Sequence, residues 1–97
     1  MNRSDLVTDL AARFSYLTQR DAELAVTAIL DAMSDALVHG QRIEIRGFGS
    51  FAVSHLAPRL GRNPRNGDSV AIAERRVTRF KPGKALKQNV NGSGQVT

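Results

Sequence analysis

Pro58-Arg59-Leu60-Gly61-Arg62-Asn63-Pro64-Arg65-Asn66-Gly67-Asp68 carries three arginines, two prolines, two glycines and two asparagines, with no acid before Asp68. Nothing in it fills a core. It lies between two runs of strand character, so it reads as the end of a long hairpin, with an arm tip at about residues 59–68. A projecting basic tip with a rigid proline needs a body to carry it.

Upstream of the tip, Arg42-Ile43-Glu44-Ile45-Arg46 alternates, with Ile43 and Ile45 inward and three charges outward. Gly47-Phe48-Gly49 is a turn, and Ser50-Phe51-Ala52-Val53-Ser54 resumes the alternation with Phe51 and Val53 inward. Strands are expected at about 41–46, 49–58 and 69–80. Around His55–Ala57 and Ala73–Arg76 the apolar alternation fades, as it does where a ribbon leaves the body and neither face meets a core. Pro82-Gly83 interrupts the chain. A third helix follows at about 84–90, then a flexible tail at 92–97.

The first forty residues are helical in pattern. Asn2 and Asp5 have the spacing of a cap and a first-turn acid, and Leu6, Val7, Leu10, Ala11 and Phe14 recur at helical intervals, giving a helix over about 3–14. Thr18 and Asp21 repeat the cap before a second helix at about 19–38, which stops at Gly40. Between Ala22 and Val38 twelve of seventeen residues are apolar. The other five (Glu23, Thr27, Asp31, Ser34 and Asp35) form a single narrow stripe. A helix wet along only one stripe is buried on its other sides. One short helix and a small sheet cannot cover it, so the pattern implies a dimer with little folded monomer.

Ninety-seven residues make one small domain with a thin core and five aromatic side chains. The chain has no cysteine, which excludes disulfides and thiolate metal sites and suits a reducing compartment. There is neither an apolar run long enough for a membrane span nor the basic-then-apolar order of a signal peptide, so a cytoplasmic protein is expected, without membrane association. The net charge of +5 is unevenly placed: residues 1–40 hold three basic and six acidic side chains, residues 41–97 eleven basic and three acidic. That asymmetry points to a polyanion met on one side only. Eleven of the fourteen cations are arginine, which suits multi-donor contact with phosphates and base edges.

No enzyme is expected. His39 and His55 lack metal-ligand spacing and triad partners, and no acid pair is placed for proton transfer. Gly61 to Gly67 encloses five residues rather than the four of a phosphate loop, with Asp68 where lysine is required. No cofactor and no metal are implied. Arg59, Arg62 and Arg65 would serve an ordinary solvated hairpin loop, but with no balancing acid they favour nucleic acid. Pro64 is a turn former, and at a projecting tip also a candidate apolar wedge between stacked bases. Arg42, Glu44 and Arg46 share one strand face, and Arg75, Arg76, Arg79, Lys81, Lys84 and Lys87 add cations after the arm. Lys84 stands near a helix N-terminus, where backbone N–H groups favour phosphate.

Arg42-Ile43-Glu44-Ile45-Arg46-Gly47-Phe48-Gly49-Ser50-Phe51, Gly61-Arg62-Asn63-Pro64 and Phe80-Lys81-Pro82-Gly83-Lys84 resemble the bacterial HU and integration host factor family of DNA-bending proteins, over about residues 1–91. The resemblance implies an α+β fold: an intertwined dimer with a helical base, an antiparallel β-saddle and two extended β-ribbon arms. It implies double-stranded DNA as the partner, wrapped through its minor groove, with Pro64 intercalating between base pairs. Arg46 and Arg62 would reach the groove, Arg3, Lys81 and Lys84 the flanking phosphates, and Gly47 and Asn63 belong to the matched DNA-facing motifs. Pairing with a related alpha-type subunit, site-preferring bending, a place in the nucleoid and roles in recombination, transcription, replication and translation regulation follow from the same resemblance. The alternatives are an HU-like, largely non-specific homodimer, a module whose basic arm docks an acidic protein, and RNA binding. Glu44, an acid on this face, is expected to orient Arg42 or Arg46. The family commonly has Thr or Ser where Asn66 stands, and residues 91–97 match none of its motifs.

Overall fold

Both N-terminal helices begin at side-chain caps. In the computed structural model, which describes residues 1–96 and the side chains through residue 92, α1 spans Arg3–Arg13 and α2 spans Gln19–Val38. Asn2 Oδ1 accepts from the Asp5 N–H at 3.0 Å while the Asp5 carboxylate accepts from the Asn2 N–H at 2.9 Å. Two donors that the helix cannot satisfy are thus met reciprocally. Thr18 Oγ1 accepts from the Asp21 N–H at 3.0 Å and starts α2 in the same way.

The helices cross on a very small core. Among the described residues the buried hydrophobic core is Val7, Ala22 and Val26, with Leu10, Ala11 and Leu30 packed around them. Leu24, Ile29 and Val38 on α2 remain 56%, 58% and 68% exposed. The apolar sides of α2 therefore stay uncovered within one chain, as the single wet stripe in its sequence required.

A three-stranded antiparallel sheet follows, in the order β1 (Ile43–Ile45), β2 (Gly49–Leu56), β5 (Arg75–Pro82). Ile43, Phe51 and Phe80 stand in one cross-strand row, and the Phe51 and Phe80 rings lie 4.7 Å apart. Phe48 adds a ring 5.5 Å from Phe80. Gly49 sits where the strands meet most closely: a Cβ there would stand 2.6 Å from the Lys81 carbonyl oxygen and 2.7 Å from the Phe80 ring.

The expected long strands are each divided. β3 (Arg59–Arg62) and β4 (Ser69–Ile72) form a separate two-stranded ribbon, and Ala57-Pro58 and Ala73-Glu74 interrupt the ladder between it and the sheet. Pro58 has no N–H to donate, so pairing cannot run through it. Conversely, the expected tip was too wide. Arg59 to Arg62 pair with Ile72 to Ser69, leaving residues 63–68 as the loop.

After Gly83, α3 spans Lys84–Val96, longer than the expected 84–90. Gly92 does not adopt the left-handed conformation that ends helices, so the backbone winds on through 91–96 rather than forming the expected tail. Thr97 lies outside the described residues. The chain has a radius of gyration of 19.0 Å, against about 13 Å for a compact domain of 100 residues. The projecting ribbon and the uncovered helix faces account for the excess.

Candidate nucleic-acid interface

Strand alternation divides the sheet into two chemically distinct faces. Ile43, Phe51, Val53, Thr78 and Phe80 point to one side, and the C-terminal end of α2 lies against that side. On the other, Glu44, Ser50 and Lys81 form one row, Ala52 and Arg79 a second, Ser54 and Val77 a third, and Leu56 and Arg75 a fourth. Arg42, Glu44, Arg46, Gly47, Ser50, Lys81 and Lys84 line a shallow concavity at the β1–β2 turn. Five of the predicted cations (Arg42, Arg46, Arg79, Lys81 and Arg75) are therefore assembled on one face. Arg42 Nη2 approaches Glu44 Oε1 at 3.9 Å, and both side chains are exposed.

The N-terminus of α3 is fixed to this corner. The Gly83 N–H donates to the Phe48 carbonyl at 2.8 Å, and the Lys87 N–H to the Gly83 carbonyl at 2.9 Å, so Lys84 opens the helix beside the Gly47 turn. Lys87 lines a largely apolar groove with Phe80, Leu86 and Val90, which Lys84 also borders. Arg3 belongs to the helical base, where its guanidinium donates to the Thr27 hydroxyl. The sheet face does not gather it within one chain.

Arg76 also stands apart. It pairs with His55 and, by the two-residue period of the strand, points to the opposite side from Arg75 and Arg79. Its guanidinium donates to the carbonyls of Leu37 and Val38 at 3.5 and 3.3 Å. The expectation that grouped it with the other cations overlooked this alternation.

In the ribbon the cations are distributed differently. Arg59 shares a face with Ile72, Gly61 and Val70, while Arg62 shares the other with Leu60, Ala71 and Ser69. Arg65 lies in the loop. The loop is tightly bonded: the Asn63 N–H donates to the Asp68 carbonyl and the Gly67 N–H to the Asn63 carbonyl, each at 2.8 Å. Two side chains reinforce it. Asn63 Oδ1 accepts from the Arg65 N–H at 2.9 Å, and Asn66 Oδ1 accepts from the Asp68 N–H at 3.0 Å. Gly67, at φ +75°, supplies the left-handed residue the turn needs. Pro64 is thereby held exposed at the apex. The structural part played by Asn66 was not foreseen, although an asparagine two residues before a backbone donor is a recognisable turn signal.

Among the described residues no three His, Cys, Asp or Glu side chains converge to hold a metal ion, and no helix is long and apolar enough to cross a membrane.

A helical base, a sheet cationic on one face and a basic ribbon projecting from it define an α+β protein of the β-ribbon DNA-binding class. Residues 1–91 match the family described as bacterial DNA-binding protein, and the chain belongs to that family. It is a bacterial DNA-binding protein of the HU and integration host factor type, and not an enzyme. The chain is 57% identical over 91 residues to the integration host factor subunit beta of Herminiimonas arsenicoxydans, covering 94% of this chain and 90% of that one. Among solved structures it is similar to HU from Anabaena in a DNA cocrystal, with a TM-score of 0.82 and 32% identity over 93% of this chain and 97% of that one. HU from Thermotoga maritima is similar at a TM-score of 0.65 and 31% identity, over 93% and 98% of the two chains.

Proposed function

We propose that this chain bends duplex DNA as one half of a dimer, gripping the minor groove with its ribbon and kinking the duplex with Pro64. The observation that carries the reading is the ribbon itself, a two-stranded element with no core, arginines on both faces, and a proline at a rigid apex. An element lying in a groove has phosphates on both sides of it, and only a two-sided distribution of cations meets both. Arg42, Arg46, Arg75, Arg79, Lys81 and Lys84 would contact the duplex along the saddle, with Arg59, Arg62, Asn63 and Arg65 on the arm. Arg3 and Lys87 would reach flanking phosphates only from the assembled dimer.

The exposed apolar sides of α2 and the groove between Phe80 and α3 would be closed by a second chain. The relatives named as beta subunits favour an alpha-type partner, while the likeness to HU supports self-association as a second reading. Mass measurement of the purified complex, with and without an alpha-type chain, separates the two. The resulting intertwined dimer would act in the nucleoid, in recombination, transcription, replication and translation regulation.

For minor-groove architectural proteins, HU and integration host factor among them, unstacking at a kink costs about a few kcal/mol and is offset by the longer contact that bent DNA allows. Release of counterions supplies much of the affinity. Six to ten phosphate contacts cost on the order of 10³–10⁵ in affinity between 50 and 200 mM salt. The test is binding to a duplex labelled at both ends, read over that salt range. The reading requires a steep salt slope together with increased energy transfer between the labels. Binding without any approach of the ends contradicts it.

A further inference from the structure

We infer that Arg76 is a positioning residue rather than a DNA contact, one that clamps the root of the ribbon arm to the C-terminus of α2. The inference rests on the reading of the arm as the DNA-bending element.

The end of α2 is almost, but not fully, satisfied by its own backbone. Gly40, at φ +75°, lets the Gly40 N–H bond the Leu37 carbonyl at 3.0 Å and the Gln41 N–H bond the Ala36 carbonyl at 2.9 Å. These are the two bonds of a Schellman motif. The Asp35 carbonyl accepts from the His39 N–H at 3.2 Å. Val38, the last helical residue, contributes the next carbonyl, and this is the one Arg76 reaches at 3.3 Å, sharing Leu37 at 3.5 Å. The last turn of α2 contains no basic residue of its own, and it carries Asp35. The negative end of the helix dipole is thus met by a cation from β5, thirty-eight residues further along the chain.

The location of that cation gives the contact its consequence. Arg76 is the second residue of β5, just after the Ala73-Glu74 interruption where the ladder to the ribbon breaks. Opposite it, the exposed His55 Nδ1 lies 3.9 Å from Glu74 Oε1. Beyond this level the chain continues into the separate two-stranded ribbon. A guanidinium spanning two helix-end carbonyls therefore fixes where the rigid base ends and where the arm begins to pivot. Engaged in this way, on the face opposite Arg75 and Arg79, Arg76 does not contribute a phosphate contact.

The experiment compares Arg76→Gln, Arg76→Lys and Arg79→Gln in the assembled dimer on one end-labelled duplex. Salt dependence of binding and end-to-end energy transfer are measured well below each variant's melting temperature. Arg79→Gln is expected to lower the slope of log K against log salt by about 0.9, the effect of one lost phosphate contact. Arg76→Gln is expected to leave the slope unchanged but to reduce or broaden the energy transfer, and Arg76→Lys, which keeps the charge, to recover part of it. A slope reduced by Arg76→Gln as much as by Arg79→Gln overturns the inference, as does an unchanged slope with unchanged energy transfer. If the unmodified protein binds without bending, the underlying reading fails instead. Should Arg76→Gln not fold, Arg76→Lys decides alone: an unchanged slope with energy transfer below the parent's supports the clamp, and a weakened slope or energy transfer equal to the parent's overturns it.

Discussion

The three-stranded sheet and the two-stranded ribbon are consecutive parts of one hairpin, yet they are held by different forces. The sheet has an apolar face of Ile43, Phe51, Val53 and Phe80, and its cations other than Arg76 stand on the other side. The ribbon has no buried face at all: Leu60 is 74% and Val70 44% exposed, and arginines stand on both sides. Packing fixes strand register wherever one face is buried. In the ribbon that constraint is missing, and register depends on the four-residue ladder and the bonded loop at its end. An isolated two-stranded hairpin is at best marginally stable in water. The sheet is therefore a platform formed on folding, whereas the ribbon gains no such support from packing.

This contrast makes ribbon and sheet substitutions separable. The largest effect on binding is expected from replacing Arg59, Arg62 and Arg65 together with alanine. Each lost phosphate contact lowers the salt slope by about one, so titration at several salt concentrations should show a slope shallower by about three, with the melting temperature nearly unchanged. A large fall in melting temperature would mean that the ribbon stabilises the body after all.

Gly49→Ala probes the sheet. Its added methyl group would meet the Lys81 carbonyl and the Phe80 ring at separations no Cβ tolerates. Overpacking of this kind costs about 1–3 kcal/mol, so thermal unfolding should occur several degrees lower, whereas the salt slope of the folded fraction should hold. The smallest effect is expected from Asn66→Ala, which removes one acceptor from the loop and about 1 kcal/mol of local order. Hydrogen exchange at the Asp68 amide should quicken, while amides of β2 and β5 keep their protection.

The same contrast explains what was legible in the sequence. The sheet announced itself because Ile43 and Ile45 alternate with charged neighbours and Phe51 and Val53 with small ones, a direct imprint of one apolar face. Helix boundaries were legible at Asn2 and Thr18, where capping chemistry is local. The ribbon was found by composition, since arginine, glycine and proline without acids cannot build a core. Its internal pairing was less visible, because Val70 and Ile72 alternate but Arg59–Arg62 has no hydrophobic pattern to mark it as their partner strand. The division at Pro58 was available from the missing N–H, and the placement of Arg76 from strict alternation. Its attachment to Leu37 and Val38 was not, because that contact joins parts of the chain that no local pattern relates. The extension of α3 was hidden for the converse reason: glycines at 92 and 94 suggest an end, and only the backbone conformation shows that Gly92 does not make one.

The central claim is that a rigid apex on an otherwise unsupported ribbon kinks DNA, and Pro64→Ala tests it most directly. Energy transfer between the labelled ends of a bound duplex should fall well below that of the unmodified protein, while most of the salt-dependent affinity, carried by the arginines, persists. An undiminished bend with Pro64→Ala would contradict the account.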